Sequence, residues 1–365
     1  MKKYIIPLVI SLVSFGLAVL ARFSKPFSDF YTDKIFPYIS LPLSFINGLV
    51  PFSVGEILII IGLLCVAVGI PLMIILLIFK KDSRLKTARF SVCFALWVLA
   101  FVSSTESFNC FIMYGCTTFS ERYFESKEHP KEELVSLYSM LIEKTNELAE
   151  KVPRDEHDRF ELTIDPQEES VKAMKKAAEK YPQLSGYYPK AKPIQFSYFM
   201  SQTNLLGMYF PFSMEANYND DMVRTNLPEV ICHEYAHLKG FIQEDEANFI
   251  SFVATCGSDD PQVQYSGYLE ALGYVHNQIY KNKISSGYEL TGSISEKVTN
   301  DWFRFMPENY WEENEEKEII KTETVSSVST TVSDASLKIS GVEDGIESYS
   351  RMVNLLLDYY YPPMK

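Results

Sequence analysis

Val230-Ile-Cys-His-Glu-Tyr-Ala-His-Leu238 decides how the second half of this chain is read, because His233 and His237 stand four residues apart with Glu234 directly after the first. Four residues is about one helical turn, so both imidazoles project from one helix face and can share a single metal ion. Glu234 lies beside that face. There it can reach a water on the metal without being a ligand, which is the geometry a zinc hydrolase needs. Val230, Ile231, Tyr235, Ala236 and Leu238 are uncharged, so the helix can be buried around its polar stripe, and Lys239 is the one departure. Pro228 suits the first turn, Thr225 or Asn226 is the expected cap, Glu229 sits near the positive end of the dipole, and Gly240 ends the helix.

Two histidines leave a metal site incomplete. Downstream, Gly240-Phe-Ile-Gln243 makes a turn, and Glu244-Asp-Glu-Ala-Asn248 opens a second helix running to about Cys256-Gly257. Glu244 and Asn248 lie one turn apart on one face, with the small residues Ala247, Ser251 and Ala254 on or beside it, so the two helices can approach closely. Glu244 is therefore the expected third ligand, and Asn248 the expected hydrogen-bond partner of a histidine. Glu246 is the competing ligand, although helical periodicity turns it toward the side of Phe249, Ile250 and Val253. A donor to the oxyanion is also needed, and His276, Tyr265, Tyr268, Tyr349 and Arg351 are the candidates. His129 and His157, in polar stretches, are expected at the surface.

His233-Glu-x-x-His237 followed by Glu244-x-x-Ala-Asn248 is similar to the gluzincin-type metallopeptidases, where a third Glu comes from a downstream helix and an Asp or Asn follows it by four. The wording looks most like the soluble regulator-cleaving family and, with Asp for Asn, the membrane-embedded CAAX-type proteases. The step of seven from His237 to Glu244 is shorter than theirs. The metzincin pattern is missed because Gln243 occupies the place of that group's third histidine. Taken whole, the chain resembles a bacterial family of uncharacterised membrane proteins with three membrane helices and an outer HExxH domain. The residues that carry this are Pro51-Phe-Ser-Val-Gly-Glu56, His233-Glu-Tyr-Ala-His-Leu-Lys-Gly-Phe241 with Glu244-Asp-Glu-Ala-Asn-Phe249, and Gly341-Val-Glu-Asp-Gly-Ile-Glu-Ser-Tyr-Ser-Arg351. That resemblance covers most of the chain and implies a zincin-like outer domain.

The first third of the chain points to a bilayer. Tyr4–Ala21, Ile57–Phe79 and about Phe90–Tyr114 are apolar runs of spanning length, and the first reads as an uncleaved anchor rather than a signal peptide. Residues 23–55 are interrupted by Pro26, Pro37, Pro42 and Pro51, with Ile35–Val50 apolar enough for the interface. Glu106, near the outer end of the third run, reads as a snorkelling or pairing group. Lys2, Lys3 and the basic loop 80–89 place the amino terminus and that loop in the cytoplasm, which delivers residues 118–365 to the outer face. Residues 1–120 carry ten Lys/Arg against five Asp/Glu, about +5, leaving about −18 for the rest of a chain whose total is −13. An acidic second half argues against nucleic-acid binding. The six cysteines form no CxxC pair and read as buried small hydrophobes, with Cys110–Cys116 and Cys232–Cys256 as the pairings a disulfide would use.

Outside the membrane, Lys131–Lys151 and the stretch through Val171, Met174, Ala178 and Tyr181 carry helical stripes. Pro193–Met200 and Met208–Tyr218 are aromatic and extended, forming a small sheet beside the motif helix whose edge can pair with a peptide. Val263–Lys281 is a helix, Glu312–Lys321 a solvated helix face, Ser326–Ser333 helix or loop, and Ile346–Tyr360 a last helical stripe. The expectation is a three-span membrane domain (1–117) and a mainly α (α+β) zincin-like domain (118–365). Together they make a membrane-anchored metallopeptidase that holds Zn2+ through His233, His237 and Glu244 and uses Glu234 as general base on a peptide or protein. The alternative is a zinc-binding but non-catalytic envelope sensor or assembly protein.

Overall fold

Among the described residues, three helical segments, Lys2–Phe23, Val54–Phe79 and Lys81–Gly115, are long and apolar enough to cross a membrane. At about 1.5 Å per residue the shortest, 22 residues, covers about 33 Å, which matches a hydrocarbon core of about 30 Å. The computed structural model describes residues 2–302, 305–339 and 351–363. Two compact units emerge: residues 1–116 with 210–215, and residues 117–209 with 216–365.

In the first unit, α1 (Lys2–Phe23), α2 (Lys25–Lys34), α3 (Phe36–Gly48), α4 (Val54–Leu64), α5 (Ile70–Phe79) and α6 (Arg84–Asn109) follow one another, with a π-turn at Cys65–Gly69 joining α4 to α5. Pro26 and Pro37 interrupt the stretch by falling in the first turns of α2 and α3, where no amide donor is needed, whereas Pro42 lies inside α3. Helix α3 is polar inside and apolar outside. Ser40, Ser44 and Asn47 are buried, while Tyr38, Ile39, Phe45 and Ile46 are exposed, a pattern that suits lipid rather than water around the unit. The segment 210–215 is bonded into this unit. Asn47 Nδ2 donates to Ser213 O at 2.6 Å, Asn109 Nδ2 donates to Pro211 O at 2.6 Å, and the buried Glu215 carboxylate accepts from Val54 N (3.1 Å) and Gly55 N (2.7 Å) at the start of α4. A carboxylate at the positive end of a helix dipole is favourably placed.

The second unit begins with α7 (Phe119–Tyr123), α8 (Lys131–Ala149) and α9 (Pro166–Lys180). Then come β1 (Lys192–Ile194), α10 (Ser197–Gln202), β2 (Gly207–Phe210) and β3 (Glu215–Asn219). The sheet order is β1-β3-β2, with β1 parallel to β3 in the register Lys192–Asn217, Pro193–Tyr218 and Ile194–Asn219. It is shorter than its sequence suggests, because Ser197–Gln202 coils into α10. The helices α11 (Leu227–Leu238), α12 (Glu244–Cys256) and α13 (Pro261–Lys281) form the centre. After α14 (Ser285–Thr291) and α15 (Glu296–Asp301), the charged stretch 312–321 makes only α16 (Tyr310–Glu313) and one 3-10 turn. Residues 326–333 lie within α17 (Thr322–Ile339), and α18 (Met352–Tyr360) closes the described chain.

Aromatic residues fill this unit's core. Phe119 on α7 meets Tyr181 at 4.8 Å, Phe241 at 5.5 Å and Phe249 at 6.1 Å between ring centroids. Such contacts fix the start of α12 as well as burying area. All six cysteines are free thiols. Cys232 points its Sγ at Ser170 O on α9 (3.8 Å), so the Cys232–Cys256 disulfide does not form.

Candidate metal centre

Helix α11 starts without the expected side-chain cap. A 3-10 turn at Arg224–Asn226 runs straight into it, and Ser266 Oγ on α13 accepts from Glu229 N at 3.1 Å, so a tertiary partner serves a first-turn amide. The outward face is pinned through Tyr235, whose hydroxyl donates to Pro189 O (2.8 Å) and accepts from Ala191 N (3.2 Å). At the other end Gly240 has φ +94, a conformation that favours glycine, and Phe241 N reaches back to Ala236 O. Lys239 is accommodated by donating to Tyr187 O at 2.9 Å and lying over the Tyr188 ring, and burial pushes its amine down to about 8.

That reversal aims the Phe241 carbonyl at His237 Nδ1, 2.7 Å away. A carbonyl can only accept, so Nδ1 carries the hydrogen and Nε2 keeps its lone pair. The His233 and His237 rings stand perpendicular with centroids 4.7 Å apart. Glu244, first residue of α12, brings Oε2 to 3.2 Å from His233 Nε2 and 3.8 Å from His237 Nε2. The ligand atoms of these three residues all lie within 4.8 Å of one another. Donors about 2.1 Å from a tetrahedral ion lie about 3.4 Å apart, close to the two separations from Glu244, so these three residues could hold a metal ion.

Electrostatics favour a cation here. Burial would keep His233 neutral, yet the hydrogen bond to Glu244, with the charges of Glu244, Glu234 and Glu229, outweighs it and lifts the ring to about 10. His237 is driven by burial to about 4. Glu234 rises to about 8, chiefly by burial, and among the described residues its Oε2 has no hydrogen-bond partner. Glu229 and Glu270 are also raised, by burial first and Glu270 further by the charge of Glu229; Glu270 reaches about 8. Burial thus favours the neutral form of these carboxyl groups, while His233 beside Glu244 is held in its charged form.

Glu246 is held elsewhere: Ser120 donates to it from both N (2.9 Å) and Oγ (2.5 Å) at the start of α7. Asn248 Nδ2 donates to Tyr274 Oη on α13 at 2.9 Å, so the expected bond to a histidine is replaced by one to a helix the motif does not include. Ser251 Oγ meets Glu229 O and Oε1, each at 2.8 Å, which is the close helix approach that small residues permit. Of the candidate stabilisers, Tyr265 gives its hydroxyl to Asp301 (2.7 Å), and His276 Nδ1 pairs with Tyr138 Oη (2.7 Å). Tyr268 lies against Phe252, and Arg351 Nε donates to Asp245 Oδ2 (2.8 Å). Tyr349 lies outside the described residues. His157 is exposed, but His129 is buried between Glu133 Oε2 (2.6 Å) and Asp358 Oδ1 (2.8 Å), because α18 returns to cover it.

Residues that spacing did not point to also adjoin the centre: the Phe241 carbonyl, Tyr209 with its ring 6.0 Å from that of His237, and Gly207 against Glu234. The Gly240 turn could have announced the first; the other two lie on β2, a strand expected beside the motif helix, but nothing local singles out these two positions. No curated protein and no solved structure matches the chain. A family model does match, over residues 31–357, and the chain belongs to the family described as protein of unknown function (DUF3810).

Proposed function

We propose that this protein is a membrane-anchored, zinc-dependent metallopeptidase with a zincin-like domain, hydrolysing peptide bonds outside the cytoplasmic membrane. The observation that carries the reading is the buried Glu234 carboxylate, one oxygen of which has no hydrogen-bond partner among the described residues, beside three donors that could hold one ion. His233 and His237 would hold the zinc through Nε2 and Glu244 through a carboxylate oxygen. Bound there, the ion supplies Lewis acidity, polarising a peptide carbonyl and acidifying water. Glu234 takes the proton from the attacking water on its carboxylate and passes it to the departing amine. Burial makes that carboxylate a strong base once ionised. The Phe241 carbonyl keeps His237 in the tautomer whose Nε2 can bind. Lys2, Lys3 and the basic residues of loop 80–89 support a cytoplasmic amino terminus, with the hydrolytic domain outside.

The test is Glu234→Gln in the full-length protein. Wild type and variant should each hold near one zinc per chain, while cleavage of a peptide library by the variant falls about 10²–10⁴-fold. Folded wild-type protein without zinc, or a variant with undiminished turnover, would overturn the reading. Zinc-loaded but inert wild-type protein would point instead to an envelope sensor or assembly role.

A further inference from the structure

We infer that Gly207 is a positioning residue for the Glu234 carboxylate, acting by having no side chain; this rests on the hydrolase reading above. Strand β2 runs along the motif face of α11. Residues 207 and 209 share one side of the strand, and what they meet is Glu234 and His237, three apart on the helix. A Cβ at Gly207 would overlap Glu234 Oε1 and lie 2.8 Å from both Glu234 Cδ and Val230 Cγ1. Glu234 is 4% exposed and Val230 5%, so the carboxylate has little room to withdraw.

Backbone conformation does not call for glycine at this position. The positive-φ glycines among the described residues are Gly186 and Gly240. Glycine weakens a strand by ordering a freer backbone and packing nothing, and β2 is only four residues long and at the sheet edge. What the missing side chain gains is contact between main chain and carboxylate, which fixes the side from which Glu234 presents its oxygens. A general base displaced by about 1 Å can lose about 100-fold in rate.

The experiment combines Gly207→Ala with Glu234→Ala and Glu234→Asp in full-length protein in lipid nanodiscs. In metal-free protein, Gly207→Ala should lower Tm clearly more when Glu234 is present than in the Glu234→Ala background, where only the contact with Val230 Cγ1 is left. With zinc loaded, Gly207→Ala should keep the metal and a KM near wild type while kcat on a peptide library drops about 100-fold. Glu234→Asp, one methylene shorter, should lose rate by itself, and adding Gly207→Ala to it should cost much less than the same change costs in wild type. Equal Tm losses in both backgrounds, or wild-type kcat in Gly207→Ala, would overturn the proposal. If Gly207→Ala alone does not fold, the Gly207→Ala/Glu234→Ala pair must; a pair that also fails assigns the tightness to Val230 and sinks the idea. Wild-type protein lacking zinc or cleavage defeats the hydrolase reading instead, and the metal-free Tm comparison still decides whether Gly207 seats Glu234.

Discussion

The second unit buries two ionic clusters, and they are finished to different degrees. Around Asp301, Oδ2 accepts from Arg154 Nη2 (2.8 Å) and Tyr265 Oη (2.7 Å), and Oδ1 accepts from Phe160 N (2.9 Å). Each carboxylate oxygen has a donor, and the anion has its guanidinium. Around α11, by contrast, Glu229, Glu234, Glu244 and Glu270 share two imidazoles, one of them kept neutral, and among the described residues Glu234 Oε2 has no hydrogen-bond partner. Burial of charge is tolerated when it is compensated. The first cluster is compensated by the fold itself, so it serves the fold. The second holds more carboxyl groups than cationic ones, and burial answers by lifting Glu229, Glu234 and Glu270 toward their neutral forms.

Disrupting the closed cluster should have the largest effect. Asp301→Ala strands a mostly buried Arg154 and should cost about 3–5 kcal/mol in chemical denaturation, with zinc content of the folded fraction unchanged. A loss below about 1 kcal/mol would erase the contrast. Next comes the open cluster. Removing zinc with a chelator, from protein previously held at a free concentration about 100 times its Kd, should cost about 2.7 kcal/mol and lower Tm accordingly. An unmoved Tm would mean that no cation completes the centre. Smallest is Arg351→Ala: the guanidinium is 42% exposed, so its pair with Asp245 should contribute under about 1 kcal/mol and leave zinc in place. Zinc loss in that variant would extend the centre to the C-terminal helix.

What could be read from the chain before folding was whatever depends on neighbours in sequence. Spacing puts His233, His237 and Glu234 on adjoining faces and separates Glu244 from Glu246 by face, and in the structure the two glutamates do meet different partners. Apolar length marked the three long helices. The misreadings share one cause, contacts between residues far apart in sequence. His129 looked exposed in a polar stretch, but its partner Asp358 is 229 residues away. Asn248 finds Tyr274 on α13, and the first turn of α11 finds Ser266 rather than its own cap.

Phe210–Glu215 leaves the second unit and returns to it within six residues, and that excursion matters to anyone who would excise the second unit from the first. A fragment starting at Thr117 would still carry the buried Phe210 and Met214, but not Asn47, Asn109 or the α4 amides that bond to this loop. Its exposed apolar tip and orphaned Glu215 would invite aggregation, so a soluble version calls for a short polar turn in place of residues 211–214.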